Sequence, residues 1–280
     1  MESFKKQNSS FQPDRDLSRL RSAILACSHG GLHRCDSVFD SRLLERISRE
    51  RAQQYRRAVP FPHIELKDLG CEDCLKRVAH AFPQHNDSRW FHYANNAHQS
   101  GKRVIWDSGV MPAPLVSLIK ELQSEMFVTF LERLTGTNEL IADPTLYGGG
   151  LHQTGAGGRL DLHVDHDFNP NLALYRRITV LVYLSKWRAE YGGNLELWSG
   201  YRHAGRDVVV ERVKRIVPAF NTVVVFTNSE SSYHGYPELI SCPASVCRNT
   251  IAMFYASQHP HPSYSRTHHH KSRFVVSNRR

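Results

Sequence analysis

The 280-residue chain combines 40% hydrophobic with 22% charged residues, which is ordinary for a globular protein. No window approaches the roughly 18 apolar residues that a membrane span needs. The polar amino-terminal residues also lack the apolar stretch of a secretory signal. We therefore expect a cytoplasmic protein without a membrane span, whose six cysteines are reduced thiols.

The formal net charge of +9 is concentrated towards the two ends of the chain. Residues 42–57 contain six arginines, and the last ten residues contain Lys271, Arg273, Arg279 and Arg280. A solvated helix face or a flexible tail accounts for such clusters, and contact with nucleic acid is the alternative.

The first part of the chain predicts a partly mobile helical extension over residues 1–58. Its apolar residues follow helical spacing on otherwise polar segments, at Leu17, Leu20, Ile24, Leu43, Leu44 and Ile47. Pro60 and Pro62 interrupt this pattern, so we place the main domain at residues 59–257.

The next segments predict one short strand and two helices. Residues 63–66 alternate like a strand, and residues 72–82 return to helical spacing. Residues 112–134 carry a proline near their start and a continuous apolar stripe, which predicts one long helix packed against a sheet.

From the glycine run at residues 148–150 onward, the chain has the pattern of an antiparallel β protein. Short runs rich in β-branched and aromatic residues predict strands at residues 178–184, 194–198, 222–226 and 250–255. The spacing of the intervening glycines and prolines favours a sandwich or barrel over βαβ units. From residue 259 the sequence becomes polar and histidine-rich, so residues 258–280 predict a basic, mobile tail.

Three residues are candidates for a metal site. Strand alternation would place His163 and Asp165 on one face, and His234 follows a later apolar run that a sandwich can bring alongside. Two imidazoles and one carboxylate suit iron(II) and leave adjacent coordination positions open. The spacing alone is weak evidence, because it or its glutamate variant recurs in two places that we interpret as structural, His85-Asn86-Asp87 and His63-Ile64-Glu65.

Arg248 adds independent support, because it enters an apolar strand. A buried guanidinium needs an anionic partner, since an unpaired buried charge is costly. The distal carboxylate of 2-oxoglutarate would supply one as a planar, two-point contact, and the Thr250 hydroxyl would lie on the same strand face. An internal salt bridge is the alternative interpretation of Arg248.

A series of motifs runs in one order through roughly residues 59–257: Pro60-Phe61-Pro62-His63, Asp143-Pro144-Thr145-Leu146-Tyr147-Gly148-Gly149-Gly150-Leu151-His152-Gln153, Gly157-Gly158, His163-Val164-Asp165, Tyr175-Arg176-Arg177, Val182-Tyr183-Leu184, Gly192-Gly193-Asn194-Leu195-Glu196-Leu197-Trp198, Phe220-Asn221, Tyr233-His234-Gly235 and Arg248-Asn249-Thr250. In this combination they resemble the bacterial type of the prolyl 4-hydroxylase-like branch of the iron(II)/2-oxoglutarate-dependent dioxygenase superfamily.

This resemblance implies a mainly β fold with flanking helices, whose core at about residues 143–257 is a double-stranded β-helix of the jelly-roll or cupin type. It implies iron(II) on the three candidate ligands, and 2-oxoglutarate on Arg248, Thr250 and Tyr147. Oxygen would be a co-substrate and ascorbate a reductant, with no catalytic residue needed beyond the metal site. The implied reaction hydroxylates an unactivated C–H bond of a prolyl residue or a small amino-acid-like metabolite and releases succinate and carbon dioxide.

Asp167 departs from the family pattern, because residues 163–167 are unusually rich in metal-ligand types. We keep Asp165 as the ligand. Asp167 falls on the same predicted strand face, where it would contact substrate, and a loop carboxylate bonded to the backbone is its alternative.

Other clusters carry less information. Four residues with zinc-ligand chemistry, whose spacing favours a glycine-containing loop over a metal site, are Cys27, His29, His33 and Cys35. Cys71 and Cys74 lack a second pair and lie on a predicted helix, so we interpret them as buried thiols. The histidine run at residues 268–270 has no assigned role.

Two rival functions belong to other classes. One is a non-catalytic β-helix protein that binds nucleic acid through its basic ends, and the complete set of candidate ligands with Arg248 argues against it. The other is a zinc-dependent hydrolase on a cupin-like barrel, which gives no reason for Arg248. We therefore expect a small-molecule or peptide substrate and no membrane or nucleic-acid partner, while the oligomeric state is left open.

Overall fold

The computed structural model describes residues 37–264 and 271–275. Within them lie four α-helices, α1 to α4, with bounds Ser41–Arg56, Glu72–His80, Ala113–Leu122 and Glu125–Thr135. The strands β1 to β13 are His63–Lys67, Phe91–His92, Gln99–Ile105, Ile141–Ala142, Gly150–Val164, Phe168–Asn169, Leu174–Tyr183, Leu195–His203, Arg206–Ile216, Thr222–Thr227, Tyr233–Tyr236, Arg248–Ser257 and Arg273–Phe274. None of the helices in these ranges is long and apolar enough to cross a membrane.

The strands form an antiparallel jelly roll, which confirms the predicted double-stranded β-helix. Neighbouring strands follow the order β1-β10-β7-β12-β5-β11-β8-β9. The central strands β7, β10 and β12 are almost wholly buried, as their uninterrupted apolar runs require.

Strand β5 connects the two halves of the jelly roll. Its first residues pair with β12, and its last residues pair with β11. Glycines allow the bend between these halves: a side-chain Cβ at Gly158 would lie 2.2 Å from the Thr154 Cγ2 atom, and Gly157 has a φ of +75°. The start of β5 therefore lies beside Arg248, and its end lies beside His234.

The helices pack on the sheet through one large apolar cluster, which includes Leu115, Leu118, Leu122, Phe127 and Phe130. The prediction of a single helix over residues 112–134 is wrong, because two helices lie there. The Ser124 side chain accepts a hydrogen bond from the Phe127 backbone N–H at 3.3 Å and starts the second helix. Both helices bury apolar residues against the same sheet, so the apolar spacing continues across the break.

Helix α1 joins this packed body, although it belongs to the segment that we assign to the extension. Leu44 and Tyr55 are fully buried, and the Tyr55 hydroxyl lies 2.7 Å from the Thr227 hydroxyl of β10. The six arginines of residues 42–57 are all exposed, as the solvated-face interpretation predicts. The domain boundary at residue 58 stays a prediction.

Part of the predicted mobile tail forms a strand. Residues Arg273 and Phe274 pair with Val164 and His163 of β5, and the Val275 backbone N–H donates to the Leu162 carbonyl at 2.9 Å. The apolar run of this basic segment has only three residues, Phe274 to Val276, which is too short to predict a strand. The histidine run at residues 268–270 lies outside the described residues.

Candidate metal centre and co-substrate pocket

Strand register brings the three candidate metal ligands together. His163 near the end of β5 is directly opposite His234 of β11, and their ring centroids are 4.4 Å apart. Asp165 lies just beyond the end of β5 and turns back towards both rings. One potential ligand atom from each residue lies within 4.8 Å of the others, and no other group of this kind occurs among the described residues.

Backbone carbonyls orient both imidazoles. The Nδ1 atoms of His163 and His234 lie 2.9 Å from the carbonyl oxygens of Asp161 and Ser232. Each Nδ1 therefore carries the proton, which leaves the Nε2 lone pair free. The Nε2 atoms of the two rings lie 3.5 Å and 3.7 Å from the carboxylate oxygens of Asp165. Two neutral nitrogens and one carboxylate thus converge on one point.

The charge states also suit a metal. Burial, reinforced by His163, lowers the pKa of His234 to about 4, so its ring is neutral at neutral pH. Burial opposes ionisation of Asp165, but the adjacent His234 and His163 keep its pKa well below the usual range. Metal binding needs these deprotonated forms.

Arg248 lies in a separate aromatic pocket on β12. Its side chain is buried, and its guanidinium donates to the Gly193 carbonyl at 2.9 Å and to the hydroxyls of Thr250 and Tyr183 at 3.2 Å. The Arg248 guanidinium carbon also lies 4.4 Å from the Tyr236 ring centroid. No described carboxylate forms an ion pair with Arg248, which argues against the internal salt bridge that we left open.

Two residues beside Arg248 were not identified from the sequence. His152 lies opposite Thr250 on β5, and its buried Nε2 atom has no hydrogen-bond partner within residues 37–264 and 271–275. Lys102 of β3 is half-buried, with its ammonium 5.2 Å from the Tyr93 ring centroid. Burial, with a smaller contribution from Arg248, lowers the pKa of Lys102 to about 8, although Asp165 opposes this change.

Of these two residues, only His152 could have been noticed in the sequence. His152 lies within a motif quoted above, two positions before the residue opposite Arg248, but one imidazole on a strand has no specific meaning by itself. Lys102 lies in a polar segment, and only the pairing of β3 with β5 shows that it faces the interior.

Tyr147 and Asp167 lie on the Asp165 side of the site. The Asp143 carboxylate accepts the backbone N–H of Tyr147 at 3.0 Å and so fixes the loop that holds this residue. The Tyr147 ring lies 5.2 Å from that of His166. Asp167 is fully buried, and its carbonyl accepts the Arg176 backbone N–H at 2.7 Å. Asp167 lies between β5 and β6 and not on the predicted strand face, and both its contact with substrate and its structural alternative stay predictions.

Arg176 is a further buried cation that the sequence did not single out. It is fully buried, and its guanidinium carbon lies 3.6 Å from the Phe254 ring centroid. It also bonds to the Tyr147 carbonyl, and its Nη1 atom lies 3.4 Å from the His166 Nδ1 atom. The carboxylates of Asp165 and Asp143 stabilise the positive charge of Arg176. Arg176 therefore neutralises part of the negative charge on the Asp165 side of the site.

The two other motifs of similar spacing, both within the described residues, do not join this site. The zinc-type cluster of Cys27, His29, His33 and Cys35 lies outside the described residues. His63 bonds through Nδ1 to the Phe61 carbonyl at 2.9 Å, and Asp87 pairs with Arg89 at 2.6 Å. Both alternative motifs therefore have local structural partners.

Comparisons with known proteins agree with this geometry. Residues 149–256 match the family model described as the 2OG-Fe(II) oxygenase superfamily. No curated protein matches the chain.

Solved structures share the fold. A prolyl hydroxylase from Trichoplax adhaerens, in complex with a hypoxia inducible factor oxygen degradation domain peptide fragment, is 18% identical with a TM-score of 0.53, over 78% of this chain and 92% of that chain. The non-heme alpha ketoglutarate dependent epimerase SnoN from nogalamycin biosynthesis is 12% identical with a TM-score of 0.51, over 78% and 82%. HygX from Streptomyces hygroscopicus, with nickel, 2-oxoglutarate and hygromycin B bound, is 11% identical with a TM-score of 0.50, over 75% and 87%. At these identities the similarity is one of fold.

Proposed function

We propose that this chain is an oxygenase of the 2OG-Fe(II) superfamily, whose family model matches residues 149–256, and that it hydroxylates an unactivated C–H bond of a prolyl residue or a small amino-acid-like metabolite. Bound iron(II), 2-oxoglutarate and oxygen supply the oxidising chemistry, in which 2-oxoglutarate is converted to succinate and carbon dioxide. The protein's own residues hold these groups, orient the substrate and exclude water.

The observation that carries the proposal is the convergence of three ligand atoms from His163, Asp165 and His234. Two neutral imidazoles and one carboxylate form the ligand set of non-haem iron(II) oxygenases, which keeps coordination positions open. In our proposal these residues bind the metal, and the carbonyls of Asp161 and Ser232 keep both rings in the required tautomer.

Arg248 and Thr250 would bind the distal carboxylate of 2-oxoglutarate. The pocket supports this role because it already contains one buried guanidinium without a carboxylate partner and one buried imidazole nitrogen, on His152, without a hydrogen-bond partner in the described chain. Lys102 adds a second cation, whose charge is influenced by both Asp165 and Arg248. Two cations and an unpaired imidazole are a suitable environment for a dicarboxylate.

Tyr147 is the third proposed co-substrate contact. Its ring lies 5.2 Å from that of His166, the residue after Asp165, and 5.7 Å from the Arg176 guanidinium carbon. The same side of the site presents aromatic surface from Tyr93 and Tyr147. A prolyl ring or an apolar amino-acid side chain would pack there, next to the metal.

A turnover screen tests the proposal. Purified protein is incubated with iron(II), 2-oxoglutarate, ascorbate and oxygen, and succinate is measured against prolyl peptides, free amino acids and, as a contrasting class, nucleosides. We expect succinate to increase with a prolyl peptide or an amino acid, and the product to gain one oxygen atom by mass. Substrate-dependent succinate with nucleosides alone would contradict the proposed substrate class.

An anaerobic titration separates the co-substrate site from the substrate. Iron(II) and 2-oxoglutarate together should give a weak visible charge-transfer band, which neither gives alone. Absence of the band, together with nucleic-acid binding by the intact chain, would favour the non-catalytic alternative.

A further inference from the structure

Cys71 and Cys74 lie at the start of helix α2, far along the chain from the residues of the metal centre. Cys71 occupies the N-cap position and is exposed, whereas Cys74 lies one turn later and is buried. Residues at the N-cap and three positions later face each other, as in a capping box. The interpretation of both cysteines as buried thiols is therefore correct for Cys74 and wrong for Cys71.

The surroundings make the two thiols unequal. The backbone N–H and the thiol of Cys74 both hydrogen bond to Cys71 and lower the pKa of the Cys71 thiol. Burial raises the pKa of Cys74, and its interaction with Cys71 adds to this effect. The exposed sulfur is therefore the one that ionises first.

Arg77 provides a positive charge for the second sulfur. Its Nη2 atom donates to the Cys74 Sγ atom at 3.3 Å, one helical turn further on. A thiolate that forms transiently on Cys74 would therefore be stabilised although the side chain is buried. Each sulfur thus has its own source of stabilisation as an anion: the helix N-terminus for Cys71 and the guanidinium for Cys74.

The pair is held on a rigid framework. The backbone N–H of Cys71 donates to the Val38 carbonyl at 2.7 Å. The adjacent Gly70 is hydrogen bonded through both its N–H and its carbonyl to the side chain of Asn221, at 3.0 Å and 2.8 Å. Leu75, between the pair and Arg77, is completely buried. The start of the helix is therefore fixed on both sides while the Cys71 sulfur stays accessible.

We propose that Cys71 and Cys74 form a redox-active dithiol that reacts with disulfides of the glutathione class. The Cys71 thiolate attacks the partner disulfide, which forms a mixed disulfide and releases one partner thiolate. The Cys74 thiolate then attacks the Cys71 sulfur, which forms the Cys71–Cys74 disulfide and releases the second partner thiolate. Two electrons pass to the partner, and the two thiol protons go to solvent or to the released thiolates. This chemistry is independent of iron and of 2-oxoglutarate.

Mass spectrometry of the full chain tests the proposal directly. The chain is incubated with oxidised glutathione, alkylated and digested with trypsin, which releases residues 68–76 as one peptide with both cysteines. We expect this peptide to be lighter by two hydrogen atoms and unalkylated. In Cys74→Ser we expect a glutathione adduct on Cys71, and in Cys71→Ser we expect neither product. Cys247→Ser serves as the control, with the wild-type result expected.

The rate of alkylation gives a second readout that does not depend on the variants. Near neutral pH, Cys71 in the folded chain should react about 10-fold faster with iodoacetamide than in a synthetic peptide of residues 68–76, since its thiolate is stabilised by the fold. Equal rates in the folded chain and the peptide would overturn the proposal. So would the absence of a glutathione adduct on Cys71 in a correctly folded Cys74→Ser variant.

Discussion

At the residue scale, Asp165 is the simplest test of the metal centre. Asp165→Ala removes the proposed single anionic ligand, whose side chain is only 12% exposed, and it keeps the Cβ atom, so little packing is lost. We expect loss of iron binding and of succinate formation, with a circular dichroism spectrum like that of wild type. Asp87→Ala is a matched control, since Asp87 lies in a motif of the same spacing but pairs only with surface groups. Wild-type turnover in Asp165→Ala would contradict the ligand assignment.

Arg248 separates co-substrate binding from metal binding. Charge-assisted hydrogen bonds contribute about 1.5 to 3 kcal/mol each. Loss of two in Arg248→Leu, about 3 to 6 kcal/mol, would weaken 2-oxoglutarate affinity by roughly 100-fold to 10,000-fold. Iron affinity should be nearly unchanged.

The control for Arg248 is Arg177→Leu. Arg177 lies in the same sheet, and its guanidinium donates to the Ser257 hydroxyl. Affinity for 2-oxoglutarate is measured at saturating iron, alongside the melting temperature of the metal-free protein. If Arg248→Leu melts early but keeps its 2-oxoglutarate affinity, Arg248 is a structural residue and the anchor lies elsewhere.

The sequence predicted residues whose chemistry is concentrated in short motifs. His163 and Asp165 are separated by one residue, and Arg248 is a charge in an apolar run, so local rules were sufficient to find them. His152 and Lys102 come to the pocket through the pairing of β5 with β12 and β3. Their relevance depends on contacts between segments that are distant in sequence, which a single sequence does not specify.

At the element scale, strand β13 packs against one proposed metal ligand from outside the predicted domain. The Phe274 ring stacks on His98, with centroids 4.6 Å apart, and lies 5.3 Å from the His163 ring. Arg273 holds the strand by pairing with Asp207 at 3.1 Å. This strand closes the edge of β5 next to the metal centre.

Phe274→Ala should therefore weaken metal binding as well as stability. Removal of the ring leaves His163 without one of its packing partners, so we expect iron affinity to fall by about 10-fold through loss of ligand orientation. Phe274→Tyr keeps the ring and should restore wild-type affinity. Metal titration of the three proteins is the measurement, and unchanged affinity in Phe274→Ala would show that β13 only covers the edge.

Helix boundaries and the tail show why elements are harder to predict than motifs. The apolar stripe of residues 112–134 continues through the break at Ser124, because periodicity reports which face is buried and not whether the backbone is continuous. The two residues of β13 form a strand only because β5 offers a free edge there. Neither feature has a local signal strong enough to outweigh the simpler interpretation.

At the scale of the whole molecule, the folded unit begins at helix α1 if this helix unfolds together with the sheet. Leu44 and Tyr55 are buried in the main cluster, so Leu44→Ala should lower the free energy of unfolding by about 2 to 5 kcal/mol. Chemical denaturation with one probe in the helix and one in the sheet should report a single transition. Two separate transitions, with the second unaffected by Leu44→Ala, would support a separable extension over residues 1–58.

The last prediction concerns ligand-linked stability, since iron and 2-oxoglutarate bind only the folded chain. A ligand at 100 times its dissociation constant stabilises the native state by about 2.7 kcal/mol. For a domain of this size, such a change raises the melting temperature by roughly 5 to 10 °C. We expect iron(II) alone to raise the melting temperature under anaerobic conditions, and 2-oxoglutarate to raise it further only when iron is present.

The variants should affect the two increases in melting temperature differently. Arg248→Leu should keep the increase with iron and lose most of the increase with 2-oxoglutarate. Asp165→Ala should lose both, because in our proposal 2-oxoglutarate would be held partly through the metal. Differential scanning fluorimetry in an anaerobic chamber measures all three proteins. An equal increase with 2-oxoglutarate in the absence of iron would mean that the co-substrate binds independently of the metal, which would contradict a shared site for the two.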